Sequence, residues 1–253
     1  LLHQLCHTLC QLGYDALMLY YGYDPERFSQ PVPQRYIFYK NSYVTEGRDR
    51  PDDWYILPEI LPGALSQIHH ARKIWWWMSV DNYFSMQVRD LQSLPAAKQM
   101  EKAFSFAAEL LRPEVTHFAQ SAYAMDFCRR MGVEGRLYYL SDYLHPAFID
   151  QAIRPADDVR ENIVLYNPSK GYEFTRELKA KAPELQWVPL QNLSAEEMAA
   201  LLRKAKVYID FGPHPGKDRI PREAAISGCC VITGRRGSAA FFEDVPIPEE
   251  YKF

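Results

Sequence analysis

The chain has 253 residues, of which 47% are hydrophobic, and its formal net charge is −3. That length is sufficient for one large or two small domains with a substantial core. The absence of a basic tail or block argues against electrostatic binding of nucleic acid, and no apolar run approaches the ~20 residues that a membrane-spanning helix needs.

The cysteine and tyrosine contents give two further expectations. The five cysteines are an odd number, and three of them fall in predicted helices, so we expect a reducing, cytoplasmic location. Aromatic residues make up 14% of the chain, and 17 of them are tyrosines. These rings either line a groove of the size of a sugar or belong to the core and its rim.

The first residues predict an amphipathic helix over 1–12 that Gly13 ends, followed by a strand at 16–21. An α/β domain usually begins with a strand and a glycine-rich turn, so we expect the first strand of this domain to precede the sequence. The last segment, 239–253, also ends abruptly, and we expect the C-terminal end of its domain to be incomplete.

One face of the first helix carries four potential metal ligands, His3, Cys6, His7 and Cys10. These side chains all project from one side of a single helix, so they cannot easily surround a tetrahedral ion. Packing of this face is therefore expected, and no metal site is predicted.

Alternating strand and helix patterns indicate parallel βαβ units in residues 1–150. The predicted strands are at 16–21, 35–44, 54–57, 73–80, 115–119 and 136–140, and the predicted helices are at 1–12, 63–72, 96–111 and 122–131. The run at 73–80 is continuously apolar, as in a central strand that is buried on both faces. Asp81 follows it at the carboxyl end, where it either faces a ligand cleft or turns the chain.

Composition changes near residue 144, where prolines and charges interrupt the apolar rhythm, and we place an interdomain linker at 151–161. A second α/β domain is predicted over 162–253. Its predicted strands are at 163–166, 187–190, 207–211 and 229–233. Ser194 and Glu197 predict a capping box at the start of one of its helices. The predicted fold class is α/β, with two Rossmann-like domains whose parallel sheets face a central cleft.

Residues 207–237 predict a strand, a loop, a short helix at 223–227 and a second strand. The loop and helix start carry Lys217, Arg219 and Arg222. Open α/β sheets bind ligands outside the carboxyl ends of their strands, and a helix N-terminus favours an anion. We therefore predict a diphosphate site in this loop, with Glu223 beside it.

Four segments of the chain carry a resemblance to a known family: RLYYLSDYLHPAF (136–148), NPSKG (167–171), SAEEMAALLRKAKVYIDF (194–211) and REAAISGCCVIT (222–233). They resemble, in the same order, segments of the GT-B glycosyltransferases. The closer likeness is to the retaining group that contains sucrose and glycogen synthases and bacterial mannosyl- and glucosyltransferases. The last segment is the most specific, since it resembles the family's Glu-Ala-Met-Ala-x-Gly signature. The likeness covers most of residues 115–238, whereas the first hundred residues match only in general rhythm.

The resemblance implies a nucleotide-diphosphate sugar as the donor substrate, bound without a metal or a cofactor. Lys170 matches the lysine that reaches the diphosphate, and Arg219 or Lys217 would supply a second cation. Glu223 matches the glutamate that accepts hydrogen bonds from the ribose hydroxyls. The remaining donor contacts implied by position are Asn167, Gly171, Leu190, Gln191, His214, Gly216 and Arg222.

The sequence departs from the family at one contact to the donor sugar. The family usually has another glutamate eight positions before the one that Glu223 matches, but this chain has Pro215 there. His214 is adjacent, and Gly216 matches the glycine that follows. The change leaves the identity of the sugar open, and with it the choice between an active transferase and a member that has lost its chemistry.

The implied reaction is glycosyl transfer with retention, through an oxocarbenium-like transition state. Lys170 and Arg219 would stabilise the leaving diphosphate. The acceptor is a glycan or glycoconjugate, deprotonated by Asp81 or by the leaving phosphate, and peripheral membrane association through the acceptor is compatible with this. Two alternatives stay open: a non-catalytic module that binds nucleotide sugar or glycan, and an epimerase of the same architecture.

Overall fold

A computed structural model describes residues 1–92, 94–95, 98, 101–102, 108–133, 135–153 and 159–253. The protein is α/β, with two four-stranded sheets of parallel strands, as predicted for the fold class. It divides into two compact units, Leu1–Tyr55 with Ser66–Lys73 and Ile56–Leu65 with Ile74–Phe253. The division into 1–150 and 162–253 stays a prediction.

Within the described residues, strands and α-helices alternate from Arg72 onwards, whereas only 3-10 helices separate the strands before it. The strands are β1 (Met18–Leu19), β2 (Tyr43–Val44), β3 (Trp54–Pro58), β4 (Arg72–Trp77), β5 (Val115–Ala119), β6 (Leu137–Tyr139), β7 (Glu161–Tyr166), β8 (Gln186–Pro189), β9 (Ala205–Asp210) and β10 (Cys230–Thr233). The α-helices whose full bounds lie within the described residues are α1 (Leu2–Gln11), α2 (Val80–Gln92), α3 (Ala122–Arg130), α4 (Pro146–Ala152), α5 (Tyr172–Lys181), α6 (Ala195–Lys204) and α7 (Arg219–Ile226). Short 3-10 helices lie at Gln34–Tyr39, Pro62–Gln67, Gly237–Ala240 and Glu249–Tyr251.

The sheet formed by β7 to β10 has the strand order β10-β9-β7-β8, and all its neighbours are parallel. β7 and β9 are its central strands, and Leu165 and Tyr208 on them are completely buried. Leu202 and Ala199 of α6 pack against this core. The chain steps from β7 outward to β8 and then returns to β9 on the other side, so the strand order reverses between β7 and β9. Ligands of open α/β sheets bind at such a reversal.

The other four-stranded sheet has the order β3-β4-β5-β6, and its core is aromatic. Trp75, Trp76 and Trp77 of β4 are all almost fully buried. The Trp77 indole N–H donates to Nδ1 of His117 on β5 over 3.1 Å, and the other ring nitrogen of His117 lies 2.9 Å from the Leu110 carbonyl. Since the indole can only donate, His117 is neutral, and burial lowers its pKa to about 4.

Several predicted boundaries are corrected by the structure. Residues 35–44 do not form one strand, because Gln34–Tyr39 is a 3-10 helix and only Tyr43–Val44 is extended. The helix predicted at 63–72 is a shorter 3-10 helix at Pro62–Gln67. The helix predicted at 223–227 begins earlier, at Arg219. In contrast, β5 has the predicted bounds, and the capping box of Ser194 and Glu197 is confirmed.

Two predicted segments fall partly outside the described residues. The predicted linker at 151–161 includes 154–158, which are among the residues that the structure does not describe, and its first residues belong to α4. The helix predicted at 96–111 likewise includes undescribed positions. Among the helices that the structure does describe, none combines the length and apolar character required to cross a bilayer.

Candidate functional site

The loops that follow β7 and β9 touch at the point where the strand order reverses. Gly171 has a φ of +65°, and a Cβ there would lie 2.5 Å from the backbone nitrogen of Gly212. A Cβ on Gly212 would in turn lie 2.6 Å from the Lys170 side chain. Any larger residue at either position would therefore separate the two loops. The close approach brings Lys170 from the first loop onto the second.

Lys170 is the central cation of this site. Its Nζ forms an ion pair with Asp218 and another, at 3.3 Å, with Oδ2 of Asp210. It also donates to the Pro213 carbonyl over 3.1 Å. The Asp210 side chain is fully buried, whereas the side chains of Lys170 and Asp218 keep 19% and 26% of their exposure. One ammonium group thus balances two carboxylates at the edge of the sheet.

His214 lies between the same two carboxylates and is fully buried. Its Nδ1 is 2.8 Å from Oδ2 of Asp218, and its Nε2 is 3.7 Å from Oδ1 of Asp210. Burial by itself would raise the pKa of Asp218, but the His214 hydrogen bond and the Lys170 charge outweigh that effect and lower it. His214 therefore contacts the loop from inside the protein. The His214 side chain would have to move in order to contact a nucleotide-sugar donor.

Asp210 is fixed by two further donors. The Tyr208 hydroxyl donates to its Oδ2 over 2.9 Å, and the Gly212 backbone N–H donates to its Oδ1 over 3.0 Å. Burial raises the pKa of Tyr208 well above its ordinary value, and the adjacent Asp210 raises it further. The carboxylate is consequently held in one orientation towards Lys170.

The donor set of this cluster would also suit a metal ion. One ligand atom from each of Asp210, His214 and Asp218 lies within 4.8 Å of the others. Carboxylate oxygen and imidazole nitrogen are common ligands of divalent cations. Lys170, however, contacts both carboxylates and supplies the positive charge there, so a metal ion would have to displace its ammonium group.

Glu223 lies on α7, just beyond this cluster, and is only 4% exposed. Its Oε2 is buried and has no hydrogen-bond partner within the described part of the protein. Burial raises the pKa of Glu223, and the charges of Arg219 and Arg222 offset only part of that rise. A buried carboxylate oxygen without a partner is costly, and a ligand hydroxyl could satisfy it.

The two arginines of α7 differ in how strongly they are engaged. Arg222 donates to Oδ1 of Asp142 over 2.6 Å, and the Asp142 side chain is 1% exposed. The Arg219 side chain is 60% exposed, and its Nε is 4.0 Å from Asp142. Arg222 is therefore committed to a buried ion pair, and Arg219 is the arginine with freedom to meet a ligand.

The loop after β9 also packs on the carboxyl edge of the β3–β6 sheet. A Cβ on Gly216 would lie 2.0 Å from the carbonyl oxygen of Met78, which follows β4. The Lys217 ammonium group donates to the Tyr139 hydroxyl over 2.6 Å and lies 3.6 Å from Asp244. Gly216 is thus required by packing, and Lys217 ties three segments together.

The remaining predicted residues lie in three places: on α2, in the turn after β7 and in the segment after β8. Asp81 is in the first turn of α2, and its Oδ1 accepts a hydrogen bond from Tyr123 over 2.6 Å. Asn167 accepts from the Ser169 backbone within its own turn. Leu190, directly after β8, is buried and donates to the Tyr166 carbonyl, whereas Gln191 is exposed.

Three acidic residues of this region were not predicted: Asp142, Asp210 and Asp218. Each carried a local signal, since Asp142 and Asp210 lie at the carboxyl ends of strands and Asp218 directly precedes a helix. Glu59 was also missed. It follows β3, is 3% exposed and accepts from the Met78 backbone N–H over 3.1 Å. Burial raises the pKa of Glu59 to about 7 despite its backbone hydrogen bonds.

Comparison with known proteins gave no match, either to a protein-family model or to a curated protein. The chemistry of the site therefore has to be inferred from its own residues.

Proposed function

We propose that the chain is a glycosyltransferase that moves a sugar from a nucleotide-diphosphate sugar to a glycan or glycoconjugate acceptor, with retention and without a metal. The observation that carries the proposal is Glu223, a buried carboxylate on α7 whose Oε2 has no hydrogen-bond partner among the described residues and which feels the charge of the exposed Arg219. A carboxylate that accepts hydroxyl donors beside cations that bind phosphate suits the ribose and diphosphate of one nucleotide.

The cations support the charge that develops as the glycosidic bond breaks. Arg219 is exposed, and Lys170 can exchange its contact with Asp218 for a phosphate oxygen. Lys170 is anchored by Pro213 and Asp210, so its ammonium group needs little reorganisation as the diphosphate leaves. Either the leaving phosphate or Asp81, which accepts a hydrogen bond from Tyr123, would take the acceptor proton.

A non-catalytic module that binds a nucleotide sugar is the second candidate, and two observations favour it. Pro215 stands where a donor-sugar carboxylate is expected, and the adjacent His214 is enclosed between Asp210 and Asp218. Lys217, expected as a second cation for the diphosphate, is bound to Tyr139 and Asp244. Such a module would bind the nucleotide but would not break the glycosidic bond.

Nucleotide binding is tested by the thermal unfolding of the chain with UDP-, GDP- and ADP-sugars. One base series should raise the unfolding temperature, because a ligand that binds only the folded state stabilises it. Glu223→Gln and Arg219→Gln should each weaken binding about tenfold, whereas the exposed control Arg130→Gln should not. If no nucleotide sugar stabilises the protein, both candidate functions are wrong.

Catalysis is tested with the nucleotide sugar that binds most tightly. Slow release of free sugar in the absence of an acceptor is expected from a transferase, since water can replace the acceptor. Arg219→Gln should lower this rate more than it weakens donor binding, because the leaving diphosphate gains charge in the transition state. Tight binding without any release of sugar, under conditions of single turnover, would favour the non-catalytic module.

A further inference from the structure

The compact unit formed by Leu1–Tyr55 and Ser66–Lys73 contains a pocket of its own. Its volume is about 300 Å³, and tyrosine rings and amide or amine groups line it. The lining includes Tyr20, Gln30, Tyr36, Lys40, Asn41 and Tyr43. The size suits a single sugar ring or a molecule of similar bulk.

The aromatic part of the pocket is held in place from inside. His3 of α1 is 8% exposed, and its ring stacks on Tyr36 at a centroid distance of 4.0 Å. Its backbone carbonyl accepts from the Asn41 side-chain amide over 2.8 Å. Tyr20 meets Tyr43 edge to face at 5.8 Å, and 48% of Tyr43 remains exposed. Tyr43 is therefore a supported ring with a face open to a ligand.

The polar groups of the pocket have unused hydrogen-bonding capacity. Within the described part of the chain, the side-chain amide of Gln30, the Lys40 ammonium group and the Tyr43 hydroxyl make no hydrogen bond or ion pair with protein atoms. Burial raises the pKa of the Tyr20 hydroxyl, and the neighbouring Cys6, Tyr36 and Tyr43 raise it further. A ligand rich in hydroxyl groups would find several donors and acceptors together.

The charge of the pocket selects against cations. Lys40 lines it, and the Arg35 guanidinium lies 4.8 Å from the centroid of the Tyr36 ring. None of the described residues that line the pocket is acidic. Burial lowers the pKa of His3, so its ring is neutral near pH 7. An ammonium ligand would suit the aromatic rings but would be repelled by Lys40 and Arg35.

We propose that this pocket binds a sugar ring that carries a carboxylate, such as a uronic acid unit of an acidic glycan. The apolar C–H face of the sugar packs on Tyr43, the hydroxyls meet Gln30 and the tyrosine hydroxyls, and the carboxylate pairs with Lys40. The inference goes beyond the proposed transferase function and does not depend on it, because no nucleotide and no residue of the β7–β9 site takes part.

The test measures binding of methyl glucuronide to the whole chain by calorimetry and ligand-observed NMR, with no nucleotide present. The matched probes are methyl glucoside, which lacks the carboxylate, and choline. Methyl glucuronide should bind with a Kd on the order of 1 mM, methyl glucoside at least fivefold more weakly, and choline most weakly. Absence of methyl glucuronide binding, or tighter binding of choline, would overturn the proposal.

Two variants assign the binding to this pocket. Tyr43→Ala should weaken binding of both sugars about tenfold, whereas Lys40→Gln should remove the preference for methyl glucuronide and leave the glucoside affinity unchanged. Tyr14→Ala and Lys181→Gln replace exposed side chains away from the pocket and should change neither affinity. Both Tyr43 and Lys40 are exposed, so unchanged unfolding curves will show that the variants fold. If both variants bind methyl glucuronide normally, the site is elsewhere and the proposal is wrong.

Discussion

Two strand pairs, β7–β9 of one four-stranded sheet and β3–β4 of the other, hold the buried acidic groups at their carboxyl ends in opposite ways. At the β7–β9 edge, Asp210 and Asp218 are paired with Lys170 and His214, and the pKa of Asp218 is lowered. At the β3–β4 edge, the partners of Glu59 among the described residues are backbone N–H groups, and burial raises the pKa of Glu59 to about 7. The charged side chains at the β7–β9 edge can exchange partners with an ionic ligand. The Glu59 carboxyl group, which becomes neutral near pH 7, instead holds the backbone at the β3–β4 edge in place.

The largest expected effect comes from removing Lys170, the cation that pairs with Asp210 and Asp218 at the β7–β9 edge, referred to as the charged edge. Lys170→Met leaves the buried Asp210 and the partly buried Asp218 without the ammonium group that contacts both. Breaking one side of a buried ion pair is strongly destabilising, and we expect the free energy of unfolding to fall by about 3 kcal/mol. Denaturant unfolding at pH 8 measures the loss. The loss should shrink on acidification, because Asp218, without the ammonium group that helps to lower its pKa, can bind a proton more readily.

Two controls separate this charge effect from simple truncation. Lys181→Met removes an exposed lysine of the same domain and should change the free energy of unfolding by less than about 0.5 kcal/mol. Lys170→Met combined with Asp218→Asn should be less destabilised than the sum of the single variants, because the two side chains are in contact. Equal losses for Lys170→Met and Lys181→Met would show that the charged edge is not a buried ionic site.

Glu59 at the β3–β4 edge should instead make the stability of the protein fall as the pH rises. The pKa of Glu59 rises from 4.5 to about 7 on folding, so its contribution to stability is complete below pH 4.5 and is lost as the pH rises through 7. Glu59→Gln removes this dependence. As the pH rises from 5 to 8, the free energy of unfolding of the variant should increase by about 2 kcal/mol relative to that of the unmodified protein. Urea unfolding of both proteins at the two pH values measures this gain.

The response of Glu59 has a clear counterpart in the same molecule. The lowered pKa of Asp218 acts in the opposite sense, so its contribution is present above its ordinary pKa and lost on acidification. In a plot of unfolding free energy against pH, Asp218→Asn should therefore flatten the acid limb. Glu59→Gln should flatten the limb above pH 5. If Glu59→Gln leaves the curve parallel to that of the unmodified protein, Glu59 is ionised across this range and the comparison of the two edges fails.

The strands of the β7–β10 sheet were predictable because local rules agree with the tertiary environment. Continuous apolar runs at β7 and β9 indicate strands that are buried on both faces, and these are the central pair. The 3-10 helix at Gln34–Tyr39 was not predictable, because its apolar and aromatic residues indicate a strand. The segment instead packs on α1, where Tyr36 stacks on His3 and the Tyr39 carbonyl lies 3.0 Å from Nδ1 of His7. Such packing between distant segments overrides local propensity.

The candidate site was predictable in position but not in its pairing. The loop containing His214 was expected from its place at the carboxyl end of a strand, and the loop containing Lys170 from the family resemblance. The structure brings the two loops together, and ligand binding there stays a prediction. Their partner Asp218 is 48 residues from Lys170 along the chain. It reaches Lys170 only because β9 lies next to β7 while β8 lies on the far side. No local pattern encodes that strand order, so the balance of charge at the site required the structure.

The smallest expected effect comes from a comparison of two helix N-caps, one on the helix that follows β5 and one on the helix that follows β8. Ser121 is 1% exposed and its hydroxyl accepts from the Ala124 backbone N–H over 3.0 Å at the start of α3. Ser194 is exposed and accepts from the Glu197 backbone N–H over 3.1 Å at the start of α6. Water can replace the lost hydroxyl only at the exposed cap. Ser121→Ala should therefore cost about 2 kcal/mol of unfolding free energy, and Ser194→Ala about 1 kcal/mol or less, both measured by urea unfolding at pH 7. Equal losses at the two sites would show that burial of the β5–α3 junction does not set the strength of its cap.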